Sequence, residues 1–389
     1  MMNVAERMSR LGTETAFEVL AKAKALEAQG KHIVHLEIGE PDFDTPTNIR
    51  EAAKKALDEG WTHYGPSNGL PDLRKAISEE INKSRGIITN PDMVVVTPGA
   101  KPIMFYSILV LVNEGDEVIY PNPGFPIYES MINFVGGTPV ALPIREEKEF
   151  SIDLNELKGL FSNKTKLIIL NYPHNPTGGS LSKADLIEIA ILAKKYNCWV
   201  LADEVYTRII YEGKFESISA IDGMMERTII LDGFSKTYAM TGWRMGYGVM
   251  PIDLAKAVTK MQVNCASCVS SFSQRACIEA LIGPQDASVK MVAEFKKRRD
   301  FIVDGLNDIP GFKCVKPKGA FYVFPNIKGI GKTSSEMETL LLYEANVATL
   351  SGTAFGKYGE GYIRLSYANS IENIDKALKR IKETVKKIL

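Results

Sequence analysis

The chain has 389 residues, 45% of them apolar and 24% charged, which excludes a disordered or fibrous protein and exceeds the usual size of one hydrophobic core. Forty-seven basic residues balance forty-seven acidic ones, so no net field favours nucleic acid or an anionic membrane. Five cysteines, an odd number without an export signal, argue against a disulfide framework. The N-terminal stretch MMNVAERMSRLGTETAF mixes charges with small residues and lacks a signal peptide's apolar centre. The longest apolar stretch, PIMFYSILVLV from Pro102, is about half of the ~20 residues that a bilayer crossing needs. These features read as a soluble cytoplasmic protein with neither membrane nor nucleic acid as a partner.

Pro41, Pro46 and the TPTN turn mark the expected passage into a large domain spanning 45–285. Within it the runs MVVVTPGA, DEVIYPNP, KLIILNYPHNPTG, CWVLADEVY and RTIILDGFSK are short and apolar, and each ends in polar or Gly/Pro punctuation. Between them lie stretches of helical spacing such as SKADLIEIAILAKKY. This alternation predicts an α/β fold with a largely parallel sheet, whose ligands gather beyond the carboxyl ends of the strands. From Val289 onward the pattern changes to a long charged helix, strands near GAFYVFPNI and YIRLSYA, and a basic C-terminal helix. Residues 286–389, joined by 1–44, are expected to form a smaller α+β domain.

The segments that follow the predicted strands collect Gly99, Ala100 and Lys101, then Phe125, Asn175, Asp203 with Tyr206, and Ser235-Lys236 with Arg244. Taken singly, each has an ordinary explanation as a helix cap, a turn residue or a surface charge. Taken together they resemble the class I aminotransferases, pyridoxal-phosphate enzymes similar to aspartate aminotransferase. The motifs that carry the resemblance are EIGEPDF, HYGPSNGLPDLR, NYPHNPTG, ADEVY, SKTYAMTGWRMG and IRLSYA, in the family's order from Ile38 to Ala368. The resemblance implies a fold type I architecture and a cofactor, pyridoxal 5′-phosphate. It also implies transfer of an amino group from an L-amino acid to a 2-oxo acid such as 2-oxoglutarate by a ping-pong route.

The chemistry explains why those residue types are needed. A lysine in a dry site can form an imine with the cofactor's aldehyde if burial and a neighbouring cation, here Arg244, disfavour its charged form. Lys236 is the expected residue, and once freed it can move a proton at the substrate's Cα. By resemblance, Asp203 partners the cofactor's ring nitrogen, Asn175 and Tyr206 bond its phenolic oxygen, and Phe125 stacks on its ring. Backbone N–H groups at Ala100 and Lys101 begin a helix and suit a phosphate, to which Ser235 and Arg244 add a hydroxyl and a guanidinium. Tyr64 matches a family tyrosine that reaches the phosphate from a second subunit, which implies a homodimer with shared active sites. Arg364 matches the arginine that clamps the substrate's α-carboxylate as a planar fork, with Asn175 and the backbone of Gly39 sharing that carboxylate.

Lys101 matches a position where some aspartate-type relatives place a lysine near a distal carboxylate, which makes aspartate the first donor. Ile38 and Phe17 can also line the side-chain pocket, so aromatic, alanine and branched-chain donors are alternatives, and a C–S lyase would use the same cofactor residues. Gly124 replaces a larger residue often found before Phe125 and is expected to widen the pocket. KGIGKTSS around Gly331 imitates a phosphate loop but has Asn326 where the first glycine is required. No metal site is expected: His32, His35, His63 and His174 lack ligand spacing, and the Cys265/Cys268 pair is read as core packing. The basic run Lys296 to Arg299 reads as a solvated helix face.

Overall fold

The computed structural model describes residues 4–389, so the start of the segment assigned to the smaller domain lies outside them. Among the described residues a seven-stranded sheet runs in the order Val94–Pro98, Met245–Val249, Thr228–Gly233, Trp199–Asp203, Thr165–Asn171, Glu117–Asn122, Thr138–Pro143. Five of these strands are the apolar runs read from the sequence. The other two escaped the reading because Thr138–Pro143 holds two prolines and Met245–Val249 two glycines, both poor strand signals. Met245–Val249 is antiparallel to both neighbours, while the remaining pairs are parallel. Ile168, Val200, Leu201 and Ile229 are fully buried, as a sheet covered on both faces requires.

Helices cover the two faces. On one, Ile103, Met104, Leu254 and Val258 pack on Val118, Leu167 and Leu201; on the other, Leu186, Ile189 and Ala193 pack on Ile168 and Val200. The helix Lys183–Lys195 begins in a reciprocal capping box, in which Asp185 N–H donates to Ser182 Oγ and Ser182 N–H donates to Asp185 Oδ2 at 2.8 Å. The N-terminal helix Ala16–Glu27 buries Val19, Ala23 and Leu26 in the same cluster as Leu186. A separate three-stranded antiparallel sheet, Leu350–Ser351, Ile363–Ser366 and Tyr322–Val323, packs with the helices Asp286–Asn307 and Ile371–Lys386. No helix among the described residues is long and apolar enough to cross a membrane.

Two sequence expectations change. The basic run is only half solvated: Lys296 and Lys297 are exposed, but Arg298 and Arg299 are buried. Arg298 lies 4.9 Å over Phe43 and donates to Asp42, while Arg299 lies 4.7 Å over Tyr211 and donates to Glu212 and the Pro317 carbonyl. Both bury a long apolar stem and keep the guanidinium bonded. Cys265, in the last turn of the helix Ile252–Ala266, is exposed and Cys268, just beyond that helix, is half-buried, so neither packs in the core. KGIGKTSS, already set aside as a phosphate loop, leads into the helix Ser334–Tyr343: Thr333 and Glu336 form its capping box, and Ser334 Oγ accepts from Gly361 N–H at 2.8 Å.

Candidate active site

The carboxyl ends of three adjacent strands meet in one cavity of about 620 Å³, within the range usual for small-molecule sites. In register, Asn171 stands beside Asp203 and Asp203 beside Leu231. The strand Thr228–Gly233 then turns through Ser235 to Lys236, which brings that amine over the same strand ends. Antiparallel pairing supplies the next piece. Pro98 lies opposite Met245, so the residues just beyond them, Gly99 and Arg244, become neighbours. A Cβ on Gly99, whose φ is +89°, would fall 2.3 Å from Arg244 Nη2, and one on Gly246 would fall 2.2 Å from the Ala100 nitrogen. Arg244 itself holds φ at +54°, a left-handed conformation that costs roughly 1–3 kcal/mol for a side-chain-bearing residue. The helix Lys101–Leu111 starts here without a side-chain cap, so its first N–H groups face the cavity beside Arg244 and Ser235.

Lys236 Nζ donates to the Gly39 carbonyl at 2.6 Å. Burial lowers its pKa to about 8; Glu40 opposes the shift, and the cations Arg364 and Arg244 add to it. Arg244 was the cation expected to act, yet Arg364 ranks ahead of it. Asp203 lies at the inner end of its strand, where burial raises its pKa to about 6 against a 2.5 Å hydrogen bond from the Tyr128 hydroxyl. Asn171 Nδ2 donates to the Asp203 carbonyl at 3.1 Å and its Oδ1 accepts from Asn175 N–H at 2.9 Å, which ties the two loops together.

Arg364 is 5% exposed and lies between two rings, 4.5 Å from Tyr322 and 4.9 Å from Phe355. Nη1 donates to Asn175 Oδ1 at 3.1 Å, Nη2 donates to the Glu37 carbonyl, and the buried Nε has no partner. An unpartnered donor on a buried cation is costly unless a ligand satisfies it. Gly39 faces Lys236 with its carbonyl, and its lack of a side chain is dictated by Tyr322, whose hydroxyl would lie 2.0 Å from a Cβ there. Tyr206 and Tyr322 share a 2.8 Å hydroxyl hydrogen bond, and burial pushes the Tyr206 phenol well above its ordinary pKa.

Of the residues singled out from the sequence, Gly39, Ala100, Lys101, Phe125, Asn175, Asp203, Tyr206, Ser235, Lys236, Arg244 and Arg364 all line this cavity. Phe17 and Ile38 line it as well. Tyr64 does not: it is 92% exposed and outside the lining of its own chain's cavity. Gly124 lies outside the lining and packs inward, where a Cβ would meet the Pro121 carbonyl at 2.1 Å; the glycine answers backbone crowding and does not widen the pocket. His174 is fully buried, bonded to Thr177 Oγ1 at 2.7 Å and lowered by burial to about 3.

Sequence reasoning missed Tyr128, Asn171, Tyr322 and Glu14, which also line the cavity. Tyr128 had a signal, since it follows Phe125 by one helical turn in PNPGFPIY. Also missed is a buried support behind the strand ends. Arg85 Nε donates to Glu204 Oε2 at 2.9 Å and Nη2 to Asp232 Oδ2 at 2.8 Å. These two carboxylates follow the strand residues Asp203 and Leu231, and their negative charge adds to the upward shift of Asp203.

The Tyr128 bond gives a pH test. Tyr128 holds Asp203 lower than burial alone would, so Tyr128→Phe should raise the Asp203 pKa and move the acid limb of kcat/KM to higher pH. At neutral pH the loss should be about tenfold, the scale of one hydrogen bond to a charged group. An acid limb that stays in place would detach Asp203 from that limb.

The sequence pattern of the aminotransferase class I and II family matches residues 31–381. The chain is 44% identical over 360 residues to an aspartate aminotransferase of Pyrococcus abyssi, covering 92% of each chain. It is 39% identical over 389 residues to aromatic-amino-acid aminotransferase 2 of Thermococcus litoralis, covering 99% of each. The crystal structure of the aspartate aminotransferase from Rhizobium meliloti superposes with a TM-score of 0.95 at 35% identity, covering 100% of each chain. With this extent of match in sequence and in fold, and the strand-end lysine, aspartate and arginine gathered in one cavity, the chain belongs to the class I and II aminotransferases.

Proposed function

We propose that this aminotransferase holds pyridoxal 5′-phosphate in the cavity and moves the amino group of an L-amino acid, aspartate-like in first choice, to a 2-oxo acid such as 2-oxoglutarate. The observation that carries the reading is the meeting of Lys236, Asp203 and Arg364 in one cavity. The residues fit the cofactor. Lys236 offers an amine lowered to about 8 to an aldehyde, Asp203 a half-buried carboxylate to a ring nitrogen, and Arg244 with Ser235 and the helix start at Ala100 a cradle to a phosphate. Asn175 and Tyr206 would bond the ring's oxygen and Phe125 would cover its face. When bound, the cofactor supplies an electron-withdrawing ring that accepts the charge left by removal of a Cα proton.

The chain's own residues do the rest. Arg364 takes the α-carboxylate as a fork, and its free Nε and ring-stacked setting orient that carboxylate. Lys236 Nζ, uncharged in part near neutral pH, takes a proton from Cα and returns it, as general base and then acid. Asp203, ionised above about pH 6, keeps a fixed negative charge at the strand end. Donor and acceptor bind the same cavity in turn, which is the ping-pong order. Residues 45–285 serve as the large domain, and 1–44 with 286–389 as the smaller one that closes over the substrate. Tyr64, exposed and outside the lining of its own cavity, suits a residue that completes the site of a second copy in a homodimer. The setting proposed for this chemistry is the cytoplasm.

A panel of amino donors against 2-oxoglutarate tests the substrate. Aspartate should lead, and Lys101→Ala should lower kcat/KM for aspartate and glutamate about tenfold while sparing phenylalanine. An unchanged preference in that variant would remove the basis for ranking aspartate first. Phe17, 60% exposed at the cavity edge, and Ile38 favour an aromatic donor as the second choice.

A further inference from the structure

Seven charged side chains line the cavity: Lys101, Lys236, Arg244 and Arg364 against Glu14, Glu40 and Asp203. Asp203 is engaged by Tyr128, and Glu40 accepts from the Thr241 hydroxyl. Glu14 has a different partner. It pairs with Lys101 Nζ, across 87 positions of sequence, and joins the segment just before the helix Ala16–Glu27 to the first residue of the helix Lys101–Leu111. The pair sits at the open side of the cavity, with Lys101 46% and Glu14 18% exposed. The same ammonium lies 5.3 Å over the Phe125 ring, so it is held at the cavity edge by two contacts.

This arrangement bears on which side chains the cavity accepts. A donor with a distal carboxylate needs the Lys101 ammonium and meets Glu14 already on it, a like charge that must be displaced. A donor with an uncharged side chain needs nothing from Lys101, and the pair with Glu14 spares that ammonium from lying unpaired against an apolar group. We infer that Glu14 is a specificity-determining residue, an internal carboxylate that occupies Lys101 whenever the donor brings none, so that one cavity accepts both acidic and uncharged side chains. The inference rests on the reading above, in which Lys101 receives the distal carboxylate.

Glu14→Gln keeps the shape and removes the charge. In the holoenzyme, kcat/KM should rise for aspartate and stay level or fall for phenylalanine, so that their ratio increases roughly twofold to fivefold, the scale of a partly exposed ion pair. Calorimetry on the same protein should show tighter binding of succinate and no tightening of 3-phenylpropionate. Glu14→Asp, which retains the charge, should keep the ratio near wild type. In the background of Lys101→Ala the Glu14→Gln effect should vanish, because the two residues act as one unit. A ratio and a succinate affinity that both stay unmoved in Glu14→Gln, while Lys101→Ala still weakens acidic donors, would overturn the role of Glu14 alone. An unmoved preference in Lys101→Ala would instead sink the underlying substrate reading.

Discussion

Lys236→Ala is expected to lower turnover by at least about 10³-fold, because it removes the one amine positioned to take and return the Cα proton. The shift of Lys236 follows from its surroundings: it is largely desolvated, and Arg364 and Arg244 share its cavity, so its charged form is disfavoured and its pKa falls to about 8. Reaction of that amine with an acylating reagent in the cofactor-free chain should be half-maximal near pH 8, whereas exposed lysines react only at higher pH. Lys236→Arg separates charge from titration: it keeps a cation but cannot release a proton, and should be as inactive as the alanine variant. The alanine variant should not lose fold stability, since Lys236 makes a single hydrogen bond, to the Gly39 carbonyl, and its removal relieves repulsion among cations. Borohydride treatment of the cofactor-loaded wild type should fix a pyridoxyl mass on the peptide that holds Lys236. Full activity in either variant, or the mass on a different lysine, would reject the assignment.

Arg364→Ala should cost about 2–5 kcal/mol in kcat/KM, roughly 30- to 4,000-fold, for every amino donor alike. The uniformity is the discriminating feature. Every L-amino acid carries the α-carboxylate, so a residue that clamps it cannot choose among side chains. Arg364→Lys should recover only part of the loss, because an ammonium replaces the planar fork and cannot at once reach Asn175 Oδ1, the Glu37 carbonyl and a ligand. Binding of simple carboxylates such as acetate and succinate should weaken in parallel, a readout independent of turnover. A loss confined to aspartate and glutamate would reassign Arg364 to the side-chain pocket and leave the α-carboxylate without its cation.

The parts of the site that were legible in the sequence are those in which chemistry and strand position coincide. Asp203 closes the apolar run WVLAD, and Lys236 follows TIILDG by three residues, so a reading of strand ends finds both. Arg244 was legible only through its motif. Its strand, MGYGV, has a glycine at alternate positions because the Gly246 backbone touches Ala100 and Gly248 packs on Ile103, and that crowding erases the usual strand pattern. Tyr128 was half hidden for another reason: its spacing from Phe125 marks a neighbour of the cavity, but its bond to Asp203 spans 75 positions and no local pattern connects the two. Arg298 and Arg299 misled because a basic run looks solvated until the aromatic rings and carboxylates that cover it are seen.

By itself the sequence determined the alternation of strands and helices, the order of the motifs and the family to which they belong, because apolar period and residue type are properties of neighbours along the chain. Only the tertiary structure decided which cation lowers Lys236 most after burial, what holds Asp203 in place, and that Glu14 reaches Lys101. Those depend on distances between residues far apart in the chain, and a distance across a cavity is set by how the whole sheet and its helices pack.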